Sequence, residues 1–289
     1  CHAAGVTWHT TLASAQAAID ADATGQPEVI RFEDSATYAE SLLSWPTSCA
    51  DLTIQAAERH RPIIHVTTWN APTTDYDRLT LRGVVLSGAD VTFPRTEALS
   101  LQYCTGHATL WTFRGDDEVT VTVDHCLTPG LALSGPGTLS ANDSVIDAGD
   151  GAALSVADDT LRLERCTVIG STACMVLHAS ECVLAGGVTA TDRFQGCVRY
   201  SAVPTGAQLP RRYRVFEGDL PLFVSPTRHD PAHARLAVRN PDAIRFGAED
   251  GDEMGGFHEV QAALRQEALL RRLTEYTPAG LKTGLIRVD

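Results

Sequence analysis

LTLRGVVLSG (79–88), LSLQYCTG (99–106), VTVDHCLTPG (121–130), LSANDSVIDAG (139–149), LRLERCTVIG (161–170) and LHASECVLAG (177–186) are versions of one pattern. The template is apolar-x-apolar-x-x-(Cys/Ser/Val)-x-apolar, usually with Gly soon after; the second and third copies lose only the final apolar residue. Its third marked position falls at Val84, Cys104, Cys126, Ser144, Cys166 and Cys182, in steps of 20, 22, 18, 22 and 16 residues. Self-similarity at a period near 20 marks a chain built from stacked, equivalent turns.

The fifth copy shows how one turn is made. Leu161 and Leu163 alternate as a half-buried strand does, but the next inward residues are Cys166 and Val168, so the alternation slips by one across Glu164–Arg165. A strand cannot change phase without bending, and that dipeptide is read as a corner. The equivalent pairs are all polar or Gly-containing: Arg82–Gly83, Gln102–Tyr103, Asp124–His125, Asn142–Asp143 and Ser180–Glu181. Short strands, a tight corner and β-branched or small apolar residues predict an all-β fold, a right-handed parallel β-helix of the pectin-lyase-like kind. A leucine-rich repeat would need its Asn and a longer helical back, which the copies lack.

Outward from the repeat, LTIQAAERHRPIIHV (52–66) reads as an earlier, irregular rung, and TLASAQAAIDAD (11–22) as an amphipathic helix with Leu12, Ala15 and Ile19 on one face. That helix is expected to cap the N-terminal end, since open strand edges invite aggregation. The predicted organisation is a cap region and entry strand at 1–51, rungs at 52–190, and a strap, helix and terminal strand at 191–289, with part of that last segment over the other end. In it, QGCVRYSAVPTGAQLPRRYRVFEG (195–218) is Pro- and Arg-rich without a period and reads as an ordered strap. Its Arg211, Arg212 and Arg214 are expected to lie on the acidic rod. EVQAALRQEALLRRLTEY (259–276) is a helix with Val260, Leu264, Leu269, Leu273 and Tyr276 in an apolar stripe, stopped by Pro278 and Gly280. LKTGLIRVD (281–289) follows as a strand. AEDGDEMGGFH (248–258) lacks the spacing of an EF-hand and reads as a turn.

Composition narrows the function. The 289 residues carry a net charge of −13, and no apolar run approaches the roughly 18 residues that span a bilayer. An acidic chain does not suit nucleic acid, whose binders neutralise phosphate. The charge is uneven: residues 1–190 hold nine Arg against 23 acids, whereas 191–289 hold 13 Arg and Lys282 against 13 acids. CHAAGVTWHT has neither the basic flank nor the apolar stretch of a signal peptide, and without an initiator Met it reads as the start of a processed chain or a fragment.

Four of the eight cysteines share one repeat position and are expected to stack inward as small core residues. No Cys-x₂₋₄-Cys pair supports zinc, and stacked parallel Cβ vectors suit a disulfide poorly. Histidines 60, 65, 107, 125 and 178 occupy unlike positions in the repeat, and the pair His229 and His233 is interrupted by Pro231, so no metal site is expected. Acid clusters at Asp116, Asp117 and Glu118, at Asp124 with His125, and at Asn142, Asp143, Asp147 and Asp150 suit turns as well as catalysis. The Gly-His-Gly and Arg-x-Lys strings of β-helical pectin hydrolases are missing. An enzymatic alternative, a polysaccharide lyase or glycoside hydrolase, would use Asp116, Asp117, Asp143 and Asp147; only there would a calcium ion enter, and otherwise no cofactor is expected.

VTWHTTLASAQAAIDADATGQPEVIRFEDSATYAE and LTIQAAERHRPII, with QGCVRYSAVPTGAQLPRRYR, GAEDGDEMGGFH and LRRLTEYTPAGLKTGLIRVD, resemble segments of bacterial β-helix proteins encoded in phage-tail-like clusters, contractile injection systems among them. The resemblance covers both ends of the chain. It departs at Ala202, where an aromatic is expected, and in a shortened strap after PRRYR. Members of that family commonly carry other domains before the rod, which fits a C-terminal piece of a longer protein; the resemblance brings no catalytic residues. It implies a structural or binding module, part of a particle assembled in the cytoplasm or found outside the cell, whose partners are other particle proteins or cell-envelope glycans. Trp69, Tyr76, Tyr103 and Trp111 are the aromatics expected to stand outward and stack on sugars.

Overall fold

The structure, a computed structural model, describes residues 7–22, 25–69, 75–114, 118–219, 221–228, 230–282 and 284. Among these, 22 strands join one hydrogen-bonded system in which every strand ladder is parallel. The chain is a parallel β-helix with three faces. One face starts at Glu28–Phe32 and Asp51–Ala56 and climbs through Val119–Asp124 and Gly137–Asn142 to Gly196–Arg199 and Arg211–Tyr213. The second starts at Thr37–Leu43 and Ile63–Trp69 and ends at Ala202–Pro204 and Phe216–Gly218. The third carries Leu110–Arg114, Gly130–Ser134 and Val188–Ala190. The stack is longer than expected at both ends. The entry region before 52 already forms a rung, and the aperiodic strap at 195–218 is two more rungs: GCVRYSAVP repeats the template with Val198, Ser201 and Val203 buried.

Leu161, Leu163, Cys166 and Val168 all point into the shaft, and the corner between them is where the alternation slips. Its second residue has a left-handed backbone in every copy: Gly83 (φ 71°), Tyr103 (53°), His125 (50°), Asp143 (46°), Arg165 (48°) and Glu181 (57°), continuing at Tyr200 and Arg214. Such a conformation costs a non-Gly residue roughly 1–2 kcal/mol. It is held because each corner N–H from Gly83 to Tyr200 donates to a carbonyl one rung above, as from His125 to Asn142 (3.1 Å) and from Asp143 to Glu164 (3.0 Å).

Immediately after the corner comes the column of Val84, Cys104, Cys126, Ser144, Cys166 and Cys182, buried in every copy. Its chemistry is more specific than space-filling. Ser144 Oγ donates to Asn142 O (2.6 Å) and accepts the N–H of Cys126 (3.0 Å); Cys126 Sγ donates to Asp124 O (3.1 Å) and accepts the N–H of Cys104 (3.2 Å). Ser201 serves Cys182 in the same way at the top of the rod. The bend thus leaves an inward N–H that a short side chain from the rung above satisfies, so every copy above Val84 takes Cys or Ser there. All seven described cysteines are free, and burial pushes the thiol of Cys174 up to about 12. Ser144→Ala is expected to cost about 1–3 kcal/mol by orphaning the Cys126 N–H, and Ser144→Cys less than about 1; equal losses for the two in urea unfolding would remove the hydrogen-bonding role.

The lower shaft is filled by rings. Trp45 stacks on Trp69 (5.2 Å between centroids) and meets Phe93 (5.7 Å), which in turn contacts Trp111 edge-on (5.8 Å) and stacks on Phe113 (5.1 Å). Gly106 lies against the Trp111 indole, where a Cβ would come within 2.5 Å of the ring. The helix Leu12–Asp22 buries Leu12, Gln16 and Ile19 against this end, with Ala15 only half-buried, and Asp20 accepts the Thr47 N–H (2.6 Å).

The C-terminal segment covers a side of the rod rather than its end. Ile244, Met254, Phe223 and Leu236 pack on Val183 and Ala202, outward residues of the second face. The string AEDGDEMGGFH, expected as a turn, is where the segment touches the rod most closely. Gly255 donates to Glu181 O (2.7 Å) and Gly256 to Thr167 Oγ1 (2.9 Å), and a Cβ on Gly255 would come within 2.5 Å of Thr167 Oγ1. Lower down, Arg228 and His233 reach Asp147 at 3.0 and 3.2 Å. The helix Ala262–Tyr276 forms as expected, but only Ala263 is buried and Leu269 and Tyr276 of its apolar stripe face solvent. Residues 283 and 285–289 of the expected terminal strand lie outside the described residues. No helix among the described residues is long and apolar enough to cross a membrane.

Candidate functional site

Parallel register turns each outward template position into a column of side chains about 4.8 Å apart. On the first face, the x between the two apolar positions gives Thr122, Ser140, Arg162, His178, Cys197 and Arg211 on successive rungs. The x before the corner gives Asp124, Asn142, Glu164, Ser180, Arg199 and Tyr213. Beside them the corner residues form a third column, Tyr103, His125, Asp143, Arg165, Glu181, Tyr200 and Arg214.

The first two columns line an open groove of about 390 Å³, with Ser140, Asn142, Arg162, Glu164, His178, Ser180, Cys197 and Arg199 on its floor. Arg162 has no ion-pair partner among the described residues, while Arg199 donates to Ser180 Oγ (3.1 Å) and lies 3.7 Å from Glu249. Glu164 is occupied by Arg165 at 2.6 Å. Burial, aided by the Arg162 charge, pushes the His178 imidazole below its ordinary value, so the ring is neutral at neutral pH. Just before the strand of Cys197 and Arg199, Asp192 accepts the N–H of Phe194 (2.9 Å) in a tight turn that leaves the Phe194 ring fully in solvent. An otherwise acidic rod therefore carries a local basic floor with hydroxyl and amide neighbours.

The corner column is more tightly knit. Asp143, with its side chain only 7% exposed, accepts two hydrogen bonds from Arg165 (2.6 and 2.8 Å). His125 stacks by Tyr103 (5.0 Å between centroids), places Nδ1 3.1 Å from Asp124 Oδ1, and donates from Nε2 to Glu259 Oε2 (3.3 Å) at the start of the C-terminal helical region. Partial burial opposes the charged ring, but Glu259 and Asp124 outweigh it and hold His125 above the usual histidine value.

The residues expected from sequence are scattered. Tyr103 is exposed (47%), but Tyr76 and Trp111 are buried and Trp69 packs half-buried against the core, so these three do not form an outward sugar platform. The reason lies in the strand alternation: Leu110–Arg114 turns Trp111 and Phe113 inward together, and the Tyr76 hydroxyl is tied to Pro46 O. Of the acids, Asp143 and Asp147 are each held in buried ion pairs, Asp143 at the corner and Asp147 under the C-terminal cover, and Asp116 and Asp117 lie outside the described residues, as does His229. Arg212 pairs with Glu217 (2.7 Å) and Arg214 sits over the rings of Tyr200 and Tyr213, so neither follows the expected placement along the acidic flank. The groove residues Arg162, His178 and Arg199 were not among the expected site residues; they occupy template x positions, which is the signal that marks them. No family model, no curated protein and no solved structure matches this chain, and the chemistry of the site rests on the geometry above.

Proposed function

We infer that the protein is a rigid binding module whose first face takes up an acidic glycan of the cell envelope, as a β-helical arm of a phage-tail-like particle. The observation that carries this reading is the groove itself, in which Arg162, His178 and Arg199 rise from three successive rungs with Arg162 unneutralised. A linear anionic chain laid along the rung axis meets guanidinium donors for its carboxylates or sulfates, and Ser140, Asn142 and Ser180 for its hydroxyls. The rigidity of the stack supplies preorganisation, which lowers the ordering cost of binding.

A panel of acidic and neutral glycans, scored for both binding and cleavage, tests this. Acidic glycans are expected to be retained uncleaved, with Arg162→Ala and Arg199→Ala each weakening binding at least tenfold, the worth of one charge-assisted hydrogen bond. Binding unchanged in the double variant would remove the groove as the site. Cleavage products lost in Asp143→Asn would establish the lyase or hydrolase reading instead.

A further inference from the structure

The corner of the rung at Val119–Asp124 brings together Asp124, His125 and Asp143, each offering a ligand atom within 4.8 Å of the others. Two come from adjacent positions in one turn, and the third from the rung above through the His125–Asp143 register. We propose that these three residues form a binding site for one divalent transition-metal ion of the zinc, manganese or cobalt kind, separate from the glycan groove and not dependent on it.

Three features point to a cation. The separation of His125 Nδ1 from Asp124 Oδ1, 3.1 Å, is close to the roughly 3.4 Å between donors around a tetrahedral ion with bonds near 2.1 Å. Nδ1 is enclosed and faces the Asp124 carboxylate. The other ring nitrogen donates to Glu259, the carboxylate–histidine arrangement that fixes a ligating imidazole in the tautomer whose free lone pair faces the metal. Arg165 in turn orients the Asp143 carboxylate through two hydrogen bonds, leaving lone pairs directed elsewhere. Asp143 and Glu164 pair with Arg165 while Asp124 and Glu259 flank His125, so four carboxylates stand against one guanidinium and one imidazole and the corner is net anionic. Three protein ligands at a partly exposed corner leave a coordination position for water or an external oxygen. Mixed imidazole and carboxylate donors select a transition ion over calcium.

Cobalt(II) titrated into the full reduced chain is the probe, because its visible spectrum distinguishes oxygen and nitrogen ligands from thiolates. One ion per chain is expected, without a thiolate charge-transfer band. His125→Asn keeps a residue that tolerates the left-handed corner; it and Asp124→Asn are each expected to weaken binding at least tenfold with the far-UV circular dichroism unchanged. Glu259→Gln, which does not touch the ion, is expected to weaken it about tenfold through the imidazole. Absence of saturable binding, affinity unchanged in both ligand variants, or a thiolate band lost in Cys197→Ser would each overturn the proposal.

Discussion

Trp111→Ala is expected to lower the free energy of unfolding by about 3–5 kcal/mol, the range for truncating a fully buried large aromatic. The indole is entirely enclosed and meets Phe93, which also contacts Trp45 and Phe113, so the void opens in a packed cluster drawn from several rungs. A rigid parallel stack has little room to collapse around it, because each rung is held in place by ladders above and below. Trp111→Phe keeps much of the volume and is expected to cost less than half as much. Urea unfolding followed by fluorescence and far-UV circular dichroism measures both, and a loss under about 1 kcal/mol for the alanine variant would contradict the buried placement.

Asp147→Ala is expected to release the C-terminal cover while leaving the rod folded. The Asp147 carboxylate, 6% exposed, serves Arg228 at 3.0 Å, His233 at 3.2 Å and the N–H of Gly149 at 2.7 Å. Removing one partner of a buried pair costs about 3–5 kcal/mol, since the remaining charge keeps its desolvation penalty. At 1.4 kcal/mol per factor of ten, that corresponds to at least a roughly hundredfold rise in the open population of the segment. Limited proteolysis should therefore cut within 221–258 about a hundred times faster, with the strand signal in circular dichroism intact. An unchanged cleavage rate, or loss of the whole fold, would show that this ion pair does not clasp the cover. Asp147→Asn, which retains hydrogen-bonding capacity, is expected to fall between the two.

The corner was legible in the sequence because phase slips leave a mark: two apolar residues at one parity, two at the other, and a polar or glycine pair between. From Leu161, Leu163, Cys166 and Val168 alone the bend and the inward column follow. The third face was not legible, since turns of unequal length separate it from the corner and no template fixes its parity. Trp111 was therefore read as exposed when LWTFR turns it inward. The two top rungs were obscured for a related reason, because Arg199, Tyr200, Arg211 and Arg212 give their short strands a charge typical of loops although Val198 and Ser201 still keep the pattern. The groove was half legible. Arg162 and His178 stand at the same x position two copies running, but their partnership with Arg199 needed the rung that composition had hidden.

Each turn of this rod bonds only to its neighbours, and copies of very different loop length keep the same corner. Duplicating one turn at the DNA level would thus add a new floor of about 4.8 Å without altering the plug at the base or the clasp along the flank. The molecule is in that sense a ruler marked in whole turns, and lineages can change its reach by counting rather than by redesign.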